Sequence, residues 1–554
     1  MHLKKSLKSV FLLILILIVL QVISYNYFFR IDLTEDKRHT ISPATKAVLR
    51  ELKEAVLIKV YLEGELPAGF RQLKTSILET LNEFQVYGKA NIQFEFIDPE
   101  LITDNKNKNE FMISMAEKGI QPTNIFIKEQ GQKIEKLIFP GATISYLGKE
   151  RGVMLLKGSS STEPTEILNQ SAENIEYELV SAIKSLSTDK RKRIAILTGH
   201  GEPESVMFSD LASTLKESYE VKRLDITKTD WIRNYDAIIL AQPTQLFNEG
   251  DILKIDQFIM RGGKAMFLID PIRIKLDSMG SRGTFIFPYE LGLDDMLFKY
   301  GIRLNKNLIQ DLYCTKIPMT VGNLGDKPRI ELVPWTFFPL LNNYTKHPLT
   351  KSLDAVQAKF LSSLDTVKAV GIRKTPILST SEYTKITSVL GNVDLNQMRN
   401  DPNPKNFIGG SKTICYLLEG KFKSVFAGRP GEKPQGFMPE GIPGAILVMS
   451  DGDVALNDLN PKSKEPLPLG FDPYQRRTYS NKDFLVNSLN YMLDENGLIG
   501  VKNKELALRP LDKAKVKEQR LKYQVINVIA PSLAALIFWV SLGYFRKRKM
   551  TKVL

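Results

Sequence analysis

The sequence predicts an α/β protein, two sheet-containing units held between two membrane helices. Three observations carry that expectation. Uncharged apolar runs occupy residues 10–29 and 525–544, a β-α-β pattern occupies residues 56–96, and short apolar strands alternate with amphipathic helices from residue 194 to residue 270. At 554 residues the chain is too long for one core and should hold two or three folded units.

The run VFLLILILIVLQVISYNYFF has the twenty residues that a helix needs, at about 1.5 Å per residue, to cross roughly 30 Å of hydrocarbon. A secretory signal peptide would share the positive start at Lys4, Lys5 and Lys8. No small-x-small cleavage site follows, however, and Tyr25, Tyr27 and Phe28 resemble an interfacial aromatic belt, so an uncleaved anchor is expected. The second run, VINVIAPSLAALIFWVSLGY, is followed by Arg546, Lys547, Arg548, Lys549 and Lys552 and reads as a closing membrane helix. Positive charge outside each run places both ends in the cytoplasm and everything between them across the membrane. The basic residues Lys513, Lys515, Lys517, Arg520 and Lys522 run against that assignment without reversing it, because a long segment translocates largely regardless of its charge.

A net charge of +14 would ordinarily suggest nucleic acid. Its distribution says otherwise: residues 1–29 carry +3 and residues 513–554 carry +9, which leaves +2 for the main body. The basicity belongs to membrane topology and no nucleic-acid partner is expected. The two cysteines, Cys314 and Cys415, would face a disulfide-permissive compartment, either bridged or as two separate buried thiols.

Within the first unit, residues 31–190, Ser42 caps a helix that has Pro43 at its first position, where a missing N–H costs nothing. The run VLIKVYL is followed by a helix whose Phe70, Leu73, Ile77, Leu81 and Phe84 recur every three or four residues, and then by the alternating strand IQFEF. Strands around residues 125–127 and 153–156 should complete an α/β fold of thioredoxin-like outline, but without a Cys-x-x-Cys that redox chemistry is excluded. A loop at residues 158–164 and a helix at residues 166–186 lead to the basic linker at residues 190–193.

The second unit, residues 191–500, opens with KRIAILTGHGEPE. Its strands near residues 194–197, 221–226, 235–243 and 264–270 alternate with helices marked by Leu211 and Leu215 and by Ile252, Ile255, Phe258 and Ile259. Such alternation predicts a parallel sheet covered on both faces, flavodoxin- or amidotransferase-like in architecture. An α/β insertion is expected at about residues 300–434. The run GAILVMSDGDVALND and a helix carrying Phe484, Leu485, Leu489 and Met492 should return the chain to the same sheet. Beyond it lie a basic juxtamembrane segment (501–524), the second membrane helix (525–545) and a cytoplasmic tail (546–554).

Little catalytic chemistry is legible. Gly199 and Gly201 begin a dinucleotide fingerprint, but Glu204 holds its third position and Glu202 adds a second negative charge where a pyrophosphate would sit. The nearest string to a phosphate-binding loop, Gly409-Gly-Ser-Lys-Thr413, lacks its spacing. Four histidines (His2, His39, His200, His347) are too few for a multi-histidine zinc site, and His200 has no evident nucleophile beside it. Asp451, Asp453 and Asp458 lack the calcium-loop spacing and read as a turn whose carboxylates cap the next element. No catalytic residue, cofactor or metal is expected. Strand ends of an open parallel sheet still host ligands, so Gly199, His200, Gly201, Glu202 and Asp270 are the candidate cleft residues.

The ordered set of DLT...HTIS (residues 32–42), AILTGHGEPE, GGKAMFLIDP, VMSDGDVALND and NKDFLVNSLNYML, between two membrane runs, resembles the GldG family of gliding-motility-associated ABC transporter components. The resemblance implies a bacterial inner-membrane protein with a large periplasmic body, often labelled substrate-binding, that works with a separate ATPase subunit and a multi-helix permease subunit. It brings no catalytic residues with it. The absence of a phosphate-binding loop fits a need for the first partner, and two membrane helices, too few for a pathway, fit a need for the second. A membrane-tethered enzyme using the second unit's cleft and a structural scaffold are the alternative readings.

Overall fold

The computed structural model describes residues 40–101, 105–129, 132–157, 164–188, 190–274, 283–324, 327–388, 392–394, 402–460, 462–495, 497–503 and 513–550, besides Leu15 and Gln21. Most of the first apolar run, residues 32–39, most of the loop at 158–164 and residues 504–512 lie outside the described residues. Residues 1–505 make one compact unit and residues 506–554 another.

Helix α1 (Pro43–Arg50) starts as its cap predicts, with the Thr45 N–H donating to Ser42 Oγ at 3.0 Å. Strand β1 (Val56–Val60), helix α2 (Ala68–Gly88) and β2 (Ile92–Phe96) form the β-α-β unit, β1 and β2 pairing in parallel. After α3 (Asn105–Glu117), β3 (Thr123–Glu129) and β4 (Gln132–Ile138) pair with each other as a separate hairpin, so the strand expected near residues 125–127 does not join the main sheet of this half. That sheet is completed by β5 (Gly141–Tyr146) and β6 (Lys149–Met154) in the order β2-β1-β5-β6. Val56, Ile58 and Val60 face Leu73, Ile77, Leu81 and Phe84 of α2 and Ile175, Leu179 and Ile183 of α4 (Pro164–Ser187). Each such side chain stabilises the fold by about 1.5–3 kcal/mol on burial.

The second sheet begins with β7 (Arg193–Thr198), followed by α5 (Ser209–Lys216), β8 (Glu220–Asp225), β9 (Ala237–Ala241), α6 (Glu249–Met260) and β10 (Lys264–Leu268). After α7 (Asp294–Tyr300) come a long hairpin of β11 (Cys314–Leu324) and β12 (Lys327–Leu341), then β13 (Asn343–Tyr344), β14 (Ile372–Ser379), β15 (Thr413–Lys423), β16 (Glu440–Met449) and helix α8 (Asn481–Leu493). The sheet order is β13-β14-β15-β16-β10-β9-β7-β8. Strands β8, β7, β9, β10 and β16 are mutually parallel, and β15, β14 and β13 extend the sheet in antiparallel fashion.

The alternation of these strands decides the layers. Ile194, Ile196, Ile239, Met266, Leu268, Leu447 and Met449 face Leu211 and Leu215 of α5 and Phe484, Leu485 and Leu489 of α8. Ala195, Leu197, Ile238, Leu240, Phe267, Ile446 and Val448 face Ile255, Phe258 and Ile259 of α6 and Met296, Leu297 and Tyr300 of α7. Both faces are covered, which is why β9 reads as an unbroken apolar run and is buried at every position.

Two expectations are corrected. Residues 301–434 are not an α/β insertion: among the described residues they carry strands and short 3-10 turns, and three of those strands belong to the main sheet. The segment lacks a 3.6-residue apolar period and is rich in residues that disfavour helix interiors. Leu498, Ile499 and Val501, assigned by sequence to the second unit and the juxtamembrane segment, pack in the core of the first sheet, because the chain doubles back after α8. Cys314 and Cys415 are free thiols, the second fully buried in β15.

In the second compact unit, α9 (Lys513–Met550) contains a span, Gln524–Tyr544, whose 21 residues extend about 32 Å and leave Leu536, Phe538 and Trp539 exposed. By length and composition this helix can cross a membrane.

Candidate functional site

In chain order the parallel strands follow the pattern 2-1-3-4-5, whose connections diverge between β7 and β9. Ligands of open α/β sheets sit outside the carboxyl ends of the strands at such a point. Four of the five sequence-predicted cleft residues lie there. Gly199 has φ +123° and Gly201 φ +77°, and a Cβ on Gly201 would stand 2.2 Å from Thr244 Oγ1, so only glycine permits the close approach.

That approach shuts the crevice. The His200 carbonyl accepts the N–H groups of Thr244 and Gln245, each at 2.9 Å, and Thr244 Oγ1 donates to the Gly201 carbonyl at 2.9 Å. The His200 ring stacks on Phe247 at 3.7 Å and 13°, and its Nε2 stands 3.3 Å from Asp251 Oδ2. Asp251 lies in the first turn of α6 and is held by Asn248 and by Lys254 at 2.7 Å each. The imidazole is 4% exposed, so it is packed as a strut between two strand ends. The Glu202 carboxylate turns back to accept the His200 N–H at 2.8 Å. His200 Nδ1 and Glu202 Oε1 are buried without a hydrogen-bond partner.

Asp270 stands apart, beyond the end of β10, where the rim is built from carboxylates. Gly452 N–H donates to Asp270 Oδ1 at 2.7 Å and Gln242 Nε2 donates to Oδ2 at 2.8 Å. Gln242, just past β9, holds φ +49°, and Gly452 fits so closely against it that a Cβ would meet Gln242 Cβ at 2.7 Å. Asp451 and Asp453, just past β16, complete the group: one carboxylate oxygen from each of Asp270, Asp451 and Asp453 lies within 4.8 Å of the others. Asp451 is fully buried, and its Oδ2 accepts the Lys359 N–H at 2.9 Å. The Lys359 ammonium group reaches Asp458 at 2.7 Å. The following 3-10 turn, Asp453–Ala455, has Gly452 at its cap position, and the Asp453 N–H at its start favours the charged form of Asp451.

The electrostatics follow from packing acids together. Burial, with the Asp453 charge second, pushes Asp270 up to about 7. Burial and the charges of Asp453 and Asp270 hold Asp451 well above the usual carboxylate range. Burial raises Asp453 too, against the opposing pull of Lys359. Burial alone would lower Lys359, but the charges of Asp458 and Asp453 outweigh it and the ammonium form is favoured.

Sequence reasoning missed Lys359 and Gln242 and discounted Asp451 and Asp453. SDGD after one buried parallel strand and IDP after its neighbour carried a faint signal. Nothing in the sequence marked Lys359, which arrives from 92 residues away.

A cleft of about 490 Å³ lies elsewhere, where the chain passes from the first sheet to the second, lined by Lys184, Lys190, Arg191, Lys192, Tyr177 and Asn490 among others. Lys192 precedes β7, so this cleft opens at the edge opposite His200. A smaller cavity of about 190 Å³ beside it is lined by Lys157, Glu178, Asn487 and Lys502.

The sequence model of the ABC-type uncharacterized transport system family matches residues 191–488, from the start of β7 into α8 and across the whole carboxylate rim. The chain belongs to this family. A domain of unknown function matches residues 35–145. An uncharacterized protein of Borreliella burgdorferi is 25% identical over 407 residues, covering 72% of this chain and 74% of its own. The mmIFT52 N-terminal domain is 12% identical with a TM-score of 0.32, covering 54% of this chain and 97% of its own, a likeness too slight to define the fold. Family membership and the apolar span of α9 together make this a membrane-associated component of an ABC transport system.

Proposed function

We propose that this protein is a non-catalytic, membrane-anchored component of an ABC transporter. Its main body lies in the periplasm, binds a ligand or partner there, and couples it to separate ATPase and permease subunits. The transport-system match over residues 191–488 carries the reading. A large folded unit joined to an apolar helix supports it, as does a sequence without a phosphate-binding loop. The resemblance to GldG narrows the setting to gliding motility in a bacterial inner membrane, with a second anchor at residues 10–29.

Co-purification from native membranes in mild detergent tests the proposal. An ATPase and a multi-helix permease should accompany the protein; recovery of the chain without either overturns it.

One observation favours a second reading, a membrane-tethered enzyme: the buried acids at the strand ends, with Asp270 pushed up to about 7, are the kind of group that proton-transfer chemistry employs. A variant combining His200→Ala with Asp270→Ala that folds and functions normally in the cell counts against it.

A further inference from the structure

We propose that Asp270, Asp451 and Asp453 form a binding site for one hard divalent cation of the Ca²⁺/Mg²⁺ class at the carboxyl-terminal rim of the second sheet. The carboxylate oxygens lie within 4.8 Å of one another. Oxygens bound to a single Ca²⁺ at about 2.3–2.6 Å stand between about 3.3 and 5 Å apart, so one ion can contact all three groups. The donor set is all oxygen, with no imidazole or thiolate among the three residues, which selects hard cations over zinc or copper.

An independent observation points to a ligand. Asp451 is fully buried, its Oδ2 is satisfied by the Lys359 N–H, and its Oδ1 has no hydrogen-bond partner. A buried acceptor left unmade is costly and rare, and a cation on Oδ1 removes that cost. On Asp270 each oxygen accepts one hydrogen bond, from Gln242 or Gly452, and keeps a second lone pair for a metal. Among the described residues the Lys359 ammonium group forms its ion pair with Asp458 and acts on Asp453 only through its charge. The ligands come from the ends of two neighbouring strands, β10 and β16, whose parallel pairing brings together residues 181 or more positions apart. No contiguous motif could announce them.

The test uses the full-length protein in detergent, stripped with chelator and titrated with Mn²⁺ as a paramagnetic probe. The free Mn²⁺ signal should fall by one equivalent per chain, and Ca²⁺ or Mg²⁺ should restore it. Asp451→Asn and, separately, Asp453→Asn should weaken Mn²⁺ binding at least tenfold, while Asp295→Asn, at an exposed ion pair with Arg429, should leave it within about twofold. A melting temperature that rises with Ca²⁺ in the parent and not in Asp451→Asn gives a second reading that holds if one variant folds poorly. Absence of saturable binding by the parent at millimolar cation overturns the proposal and leaves a shared proton as what holds the acids together. Binding undiminished in both folded variants overturns it equally.

Discussion

The backbone N–H of Lys359 donates to Asp451 Oδ2 at 2.9 Å while the ammonium group of the same residue reaches Asp458 at 2.7 Å. One residue of the segment between β12 and β14 thus fastens that segment to the acidic rim by both its backbone and its side chain. Lys359→Met keeps the backbone bond and removes the ion pair. With Asp458 about half exposed, the loss should be about 1–2 kcal/mol, read as a shifted urea midpoint at unchanged slope.

Gly452→Ala tests the fit of Gln242 against the rim. The new Cβ would stand 2.7 Å from Gln242 Cβ and 2.9 Å from its Cα, so backbone has to move and about 1–3 kcal/mol should be lost. Gly500→Ala, whose Cβ meets nothing within 4 Å, should change stability by less than about 0.5 kcal/mol.

His200→Ala removes the stack on Phe247 and leaves Asp251 facing a void. A loss of about 2–3 kcal/mol is expected in a thermal melt, with partner co-purification intact at temperatures where the variant is folded. Lost partners from a fully folded variant would show that His200 has a role beyond that of a strut.

Lys502 gives a pH dependence. Burial lowers it to about 8, while its nitrogen donates to Asn487 at 2.8 Å and lies over the Tyr177 ring at 4.3 Å. Below pH about 8 the lysine is protonated both folded and unfolded, and the burial penalty is constant. From there to pH about 10.5 the unfolded chain holds more protons, so this group makes stability rise with pH. Lys502→Met should abolish that rise, as measured by urea titrations at intervals across the window; an unchanged slope would place the lysine in a solvated setting.

Neither thiol should label readily in the folded protein. Burial pushes Cys314 up to about 12 and Cys415 further, so thiolate is scarce at neutral pH. Maleimide at pH 7.5 should modify both only after denaturation, and gel mobility should be the same with and without reductant.

The sequence by itself determined the elements that carry a period. Ser42 and Pro43 announced α1, the spacing of Leu73, Ile77 and Leu81 announced α2, and the unbroken run before Gln242 announced a strand buried on both faces. In each case the burying surface is written into consecutive residues, and local sterics read it without help. What only the tertiary structure decided is pairing between distant segments. β14 and β15 look like any loop-flanked strands until they extend the main sheet, and Leu498 and Ile499 look like linker until they enter the first core. The site divides along the same line. Gly199, His200 and Gly201 were legible as a strand-end turn, because positive φ demands glycine. That the turn would close on Thr244, and that Asp270 would leave it to join Asp451, Asp453 and Lys359, depended on strand order, which brings residues far apart in sequence to one edge.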